Sequence, residues 1–199
     1  MATVIAHHVV ISAYGFWLPN DPRGSWSRYV GSRELLRFGR ATKVDTHRSV
    51  AGRPHDFAAR LAAKAALKYP PVRFNGLQAR AVGRGFARFV RKAGLRVFAC
   101  AILPDHVHMV VAHPRYHVEQ VAVLLKGAAT RWLLAEGIHP LARFAKGTGR
   151  PPTPWARGLW KVFLRTPGQV RRAVRYVQDN PEREGLPPQQ WSFVRPVDL

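Results

Sequence analysis

His106 and His108 stand one residue apart in a run, 103–111, whose other members include Leu103, Val107, Val110 and Val111. An apolar, β-branched run of this kind reads as a strand, entered here through the turn Pro104-Asp105. Residues i and i+2 of a strand point to the same face. The two imidazoles therefore lie side by side, an arrangement that suits chelation of one divalent cation. Histidine is also a common half-buried residue, so the pair alone leaves a purely structural role open. A second group of residues, further along the chain, shifts that balance.

The second group is the segment 166–181. Thr166 reads as an N-cap, Pro167 as the first helical residue and Gln169 as the partner that completes a capping box. Val170, Ala173, Val174 and Val177 follow the i, i+3, i+4, i+7 spacing of a buried stripe. Tyr176 falls roughly 120° from the centre of that stripe at about 100° per residue. Asn180, four residues after Tyr176, is its neighbour on one helix face. Pro181 is expected to end the helix, because it disfavours α geometry at Asn180 and has no N–H to give. Alone, the tyrosine reads as an edge-of-core residue and the asparagine as a helix end.

Together the residues form a set. A histidine–hydrophobic–histidine strand, then a late helix with Tyr176-Val177 and Asn180-Pro181, then Glu184-Gly185-Leu186, resembles the HUH single-tyrosine transposases. Within that group the chain is most similar to the REP-associated tyrosine transposases. The resemblance is strongest over 95–112 and 158–194, including Gly158-Leu159-Trp160 and Trp191-Ser192, and extends to the opening segment 14–25. Residues 31–75 and 137–157 look like variable insertions in a single domain spanning 1–199.

The resemblance implies a ferredoxin-like fold and a definite chemistry. His106 and His108 would be metal ligands, Asn180 would take the family's third ligand position, and the ion would be Mg2+ or Mn2+. Tyr176 would attack a phosphodiester of single-stranded DNA, giving a covalent 5′-phosphotyrosine and a free 3′-hydroxyl. The covalent ester keeps the phosphodiester energy for strand transfer, in keeping with the lack of a GxxxxGK[ST] loop in this chain. The expected partner is single-stranded or hairpin-forming DNA. Whether the protein works as monomer or homodimer stays open.

Composition points to a polyanion independently. The chain has 32 Lys and Arg against 11 acids, a net charge of +21. Residues 57–104 hold ten Lys/Arg and residues 137–178 nine, with no acid in either. Releasing the counterions of a nucleic acid would supply salt-sensitive affinity without sequence preference. Arg80, Arg84 and Arg88 repeat along one helix face, as a solvated stripe or a phosphate track. The other candidate DNA contacts are Lys126, Arg131, Lys161, Arg165, Arg171, Arg172 and Arg175. Arg171, Arg172 or Arg175 could also stabilise the tyrosine oxyanion. Trp17, Trp26, Trp132, Trp155, Trp160 and Trp191 could stack unpaired bases, although tryptophan is more often core.

The elements that must hold these groups can be read coarsely. A strand is expected over 4–12 and a connection without clear period over 13–55, turning at 20–24. Helices follow over 57–67 and 78–92, then a hairpin of 95–102 with 106–113, a helix over 118–136 and a strand over 159–164. This order suits an α+β domain with an antiparallel sheet; the ferredoxin-like label comes from the resemblance. Cys100, the single cysteine, reads as a small buried residue suited to a reducing cytoplasm. No run is long enough to cross a bilayer, and residues 1–8, without a basic n-region or a cleavable apolar stretch, are not expected to act as a secretory signal. His7, on the first strand, and His8, facing the other way, read as sheet residues. Asp105 is expected to point away from the two histidines.

Three other readings stay open. One is a non-catalytic hairpin-binding protein on the same scaffold. The second is a metal-dependent hydrolase using water, which leaves Tyr176 without a role and lacks a nearby acid as base. The third is an RNA-binding role.

Overall fold

The computed structural model describes residues 3–16, 18–19, 21, 33–40 and 54–198. Among the described residues four strands, β1 (Ala6–Ser12), β2 (Val97–Ile102), β3 (His106–Ala112) and β4 (Trp160–Leu164), form one antiparallel sheet in the order β2-β3-β1-β4. The helices are α1 (Arg33–Leu36), α2 (Phe57–Ala65), α3 (Gly76–Ala93), α4 (Val118–Ala135) and α5 (Pro167–Arg183). With α3 joining β1 to β2 and α4 joining β3 to β4, the pattern is the β-α-β-β-α-β of a ferredoxin-like α+β fold. The expected fold class holds. Trp17, Trp26 and most of the expected turn at 20–24 lie outside the described residues.

Strand alternation divides the sheet between two cores. Val9, Ile11, Val107, Met109 and Val111 face α3 and α4 and pack with Val82, Phe86, Val121, Leu125 and Leu133. Ala6, Phe98, Ala101, Val110 and Leu164 face the other way and pack with Val170 and Val177 of α5. The ladder of β2 on β3 shifts register between Val97 and Ala99, so Phe98 and Ala99 both join the α5 side. Cys100 is buried against α3 and α4, and burial pushes its thiol far up from the ordinary range.

Two element boundaries differ from the sequence expectation. Helix α3 starts two residues earlier than the apolar period suggested, because Asn75 and Gln78 form a reciprocal capping box. Helix α5 does not stop at Asn180 but runs through Pro181 to Arg183. Proline removes a single donor, and only a short stretch of helix remains beyond it. Pro181 itself is buried, and its carbonyl accepts the Leu186 N–H at 2.8 Å.

Helices α3 and α4 touch at backbone distance. A Cβ built on Gly85 would lie 2.7 Å from the Ala129 Cα and 2.8 Å from the Ala128 carbonyl oxygen. Gly85→Ala should therefore destabilise the fold by about 1–3 kcal/mol through overpacking. Among the described residues, a Cβ built on Gly127 of α4 would meet just the Arg131 guanidinium, at 3.5 Å. Gly127→Ala should raise stability by about 0.5–1 kcal/mol through helix propensity. Denaturant midpoints of the two variants would move in opposite directions; a shared direction would refute the close-packing account.

Candidate active site

Strand β1 lies beside β3 with Ser12 opposite His106, Val10 opposite His108 and His8 opposite Val110. Alternation turns His8, His106 and His108 to the α5 face. Helix α5 is fixed there at its start by Thr166, whose hydroxyl accepts the Gln169 N–H at 3.2 Å, and by Gln169, which accepts the Thr166 N–H at 3.2 Å. Val170 and Val177 bury its apolar stripe, and this rotation brings Tyr176 onto the histidines. The Tyr176 ring centroid is 5.5 Å from that of His108 and 5.8 Å from that of His8, edge to face in both cases.

The imidazoles form a chain. His106 Nε2 is 3.0 Å from His108 Nε2, and His108 Nδ1 is 2.9 Å from His8 Nε2. At the other end His106 Nδ1 lies 2.8 Å from Asp105 Oδ1. Burial, followed by the neighbouring His106 and His8, holds His108 well below the usual histidine range; burial alone lowers His8 to about 4. Both are therefore neutral at physiological pH, as His108 must be to hold a metal through an imidazole nitrogen. Phe16 packs on His106 at 4.7 Å between centroids, and Trp160 meets His8 edge-on at 5.8 Å.

Asp105 corrects the sequence expectation. It does not point away from the histidines but bonds to His106, while its second oxygen receives Arg73 at 3.3 Å. Asp105 sits in the turn ahead of β3, where strand alternation does not govern side-chain direction, and its carbonyl accepts the Ala13 N–H at 2.9 Å. Both carboxylate oxygens are thus engaged.

His8 is the site residue that sequence reasoning passed over. On β1, His8 and Ser12 share their face with apolar Ala6 and Val10 while His7 stands on the other face, so alternation alone gives little sign of the site. The nearness of His8 to His108 is a diagonal relation across the β1–β3 ladder, within reach of aromatic side chains. Nothing local announces which strand is adjacent.

The donor set fits a divalent cation. An N···N separation of 3.0 Å matches the edge of an octahedron with metal–ligand bonds of about 2.1 Å. Asn180 is buried one turn after Tyr176, and its amide Nδ2 has no hydrogen-bond partner among the described residues. Amide oxygen and nitrogen exchange by a simple flip, so Asn180 can offer a carbonyl ligand. No cluster of three or more His, Cys, Asp or Glu suited to a metal occurs among the described residues; His106 and His108 are the donor pair brought together, with Asn180 buried on the neighbouring helix.

The basic residues divide by location. Arg80, Arg84 and Arg88 lie on α3, in the layer opposite the α5 face, and Arg84 is paired with Glu136 at 2.8 and 2.5 Å. Lys161 is paired with Glu119, and Arg165 lies over the Phe163 ring at 5.9 Å. Arg171, Arg172 and Arg175 are on the exposed side of α5. Arg183, beyond the expected helix end, has its guanidinium 5.5 Å from the centre of the Tyr176 ring.

Lys126 is turned inward. Its ammonium donates to the carbonyls of Ala156 and Gly158 at 2.7 and 2.6 Å, and burial lowers it to about 8. That clasp shapes an open cleft of about 590 Å3 between α4 and the 150–158 segment, lined by Thr130, Arg131, Arg150, Trp155 and Arg157 among others. Trp155 is buried and bonded to Thr130 at 3.1 Å, so it is a wall of the cleft rather than a stacking platform. Trp191 packs on α3, close against Gly83. No described helix is long and apolar enough to cross a membrane.

A ferredoxin-like sheet with paired imidazoles under a tyrosine-bearing helix defines the class of protein. The chain matches the family described as IS200-like transposases over residues 66–180. Among solved structures it is similar to a REP-associated tyrosine transposase bound to a REP hairpin, at 10% identity and a TM-score of 0.47, covering 100% of this chain and 96% of that one. It is also similar to a candidate transposase from Deinococcus radiodurans, at 12% identity and a TM-score of 0.40, covering 90% and 92%. A comparison with curated proteins returns no match. The family match spans more than half of the chain, and the protein belongs to the IS200-like transposases, DNA-processing enzymes that are generally metal-dependent.

Proposed function

We propose that this protein cuts and rejoins single-stranded DNA through Tyr176, with His106, His108 and Asn180 holding Mg2+ or Mn2+. The observation that carries this reading is the convergence, on one sheet face, of two imidazoles 3.0 Å apart with the ring of Tyr176. A bound divalent cation would neutralise a non-bridging phosphate oxygen and hold the phosphorus for in-line attack. The Tyr176 phenol loses its proton as its oxygen attacks phosphorus; the new O–P bond forms as the bond to the 3′-oxygen breaks, and that oxygen takes up a proton and leaves as a hydroxyl, so the protons balance. Attack by a 3′-hydroxyl on the phosphotyrosine reverses the exchange, joins the strands and returns the phenol. No external energy source is needed, because each bond broken is matched by one formed.

DNA carrying a hairpin is the substrate this reading favours, and the cleft beside α4 is a natural path for its flanking single strand. The lining residues 155–158 come just before Trp160 in the chain, and Trp160 packs on His8. Arg131, Arg150 and Arg157 are exposed there. Replacing all three by glutamine should weaken single-strand binding and reduce the slope of log K against log salt by about 2 for three lost phosphate contacts. An unchanged slope would remove the cleft from the DNA path.

The test of the function uses hairpin-bearing single-stranded DNA labelled at either end, with Mn2+. A denaturant-resistant protein–DNA adduct on the fragment 3′ to the cut, with a free 3′-hydroxyl on the other, is expected. Two free fragments and no adduct would instead indicate a hydrolase. Tight binding without cleavage would indicate a non-catalytic hairpin binder.

A further inference from the structure

We propose that His8 is a positioning residue which, together with Asp105, locks both chelating imidazoles with their Nε2 lone pairs turned toward one another. The inference rests on the assignment of His106 and His108 as metal ligands. Each of those rings has its Nδ1 beside an acceptor: Asp105 Oδ1 at 2.8 Å for His106, and His8 Nε2 at 2.9 Å for His108. A neutral imidazole carries one N–H. When Nδ1–H of each ring donates outward, both Nε2 atoms are left bare at 3.0 Å. Two lone pairs at that distance repel in the absence of a cation and form a bidentate claw in its presence.

The opposite orientation is incompatible with chelation. Were His8 the donor to His108 Nδ1, His108 would carry its proton on Nε2 and could not bind a metal there. Nor is His8 a third ligand, because its Nε2 contacts the nitrogen of His108 that points away from His106. Ligating histidines commonly donate their second N–H to an acceptor that sets tautomer and ring angle. Here one ligand uses a carboxylate in the turn and the other a buried histidine on the adjacent strand. The His8 ring is itself held on two sides, by Trp160 and by Tyr176, at 5.8 Å between centroids in each case. One side chain thus sets the orientation of a ligand while packing against the attacking residue.

The experiment is calorimetric titration of the full chain with Mn2+, which reads binding without activity. His8→Phe keeps a ring but removes the acceptor, and should weaken Mn2+ binding about 10–100-fold. His8→Gln, whose amide oxygen can accept in place of Nε2, should recover affinity to within a few-fold of wild type. His8→Phe binding Mn2+ like wild type, or His8→Gln no better than a folded His8→Phe, would overturn the proposal. Lack of one-site Mn2+ binding by wild type, or binding unaffected by His108→Ala, would remove the metal site itself and the proposal with it. A second measurement avoids variants altogether. Nitrogen-15 NMR of wild type with Mg2+ should find His106 and His108 both protonated on Nδ1; a proton on Nε2 of His108 would overturn the assignment of His8 as acceptor.

Discussion

Tyr176→Phe should abolish the covalent protein–DNA adduct and lower strand cleavage by about four to six orders of magnitude, the scale seen when a nucleophile is deleted from an enzyme. The ring is what packs on His8 and His108, at 5.8 and 5.5 Å. Phenylalanine preserves that packing and removes only the hydroxyl proposed to attack. DNA binding and Mn2+ binding should therefore stay within a few-fold of wild type, as should the thermal midpoint. The separation matters, because loss of adduct together with loss of cation binding would mean that the substitution had collapsed the site. Cleavage that survives in Tyr176→Phe would show that water attacks, and the tyrosine would return to being an edge-of-core residue. With Asp105 already engaged by His106 and Arg73, a hydrolytic route would also need a base from elsewhere.

His108→Ala should produce the second large effect, loss of detectable Mn2+ binding together with cleavage reduced about a thousandfold, which corresponds to about 4 kcal/mol of transition-state stabilisation. Deleting this ring removes half of the imidazole pair and leaves His8 without its partner at 2.9 Å. Chelation of the divalent cation from wild type should have the same consequence and be reversed by adding Mn2+. His108→Ala should remain folded, because the neighbouring Val107, Met109 and Val110 still anchor β3 between the two cores. Cleavage that persists at the wild-type rate in chelator would refute the metal-assisted reading, whatever the fate of the adduct.

Much of the geometry of this candidate site was legible because its parts are local. The two-residue spacing of His106 and His108 follows from strand pleat, and the four-residue spacing of Tyr176 and Asn180 from helix pitch. Thr166, Pro167 and Gln169 announced the start of α5 in three residues, and the structure begins the helix at Pro167. The hairpin of β2 with β3 was likewise visible, since its short turn leaves adjacent antiparallel strands as the simple outcome. Where local rules compete, the reading was less sure. Pro181 carries a strong stop signal, yet burial of that residue and the nearness of the helix end let α5 continue to Arg183.

By itself, then, the amino-acid sequence determined the spacings within single elements, the excess of positive charge and the chemical types available: two imidazoles, a phenol and an amide. Only the tertiary structure decided which elements meet. The order β2-β3-β1-β4 brings His8 beside His108, across a separation of one hundred residues. The same packing turns the Asp105 carboxylate back onto His106 and ties up Arg84, Lys126 and Lys161 in contacts of their own. The physical reason is that pleat and pitch set side-chain direction within an element, whereas strand neighbours and helix rotation are chosen by burying two apolar faces at once.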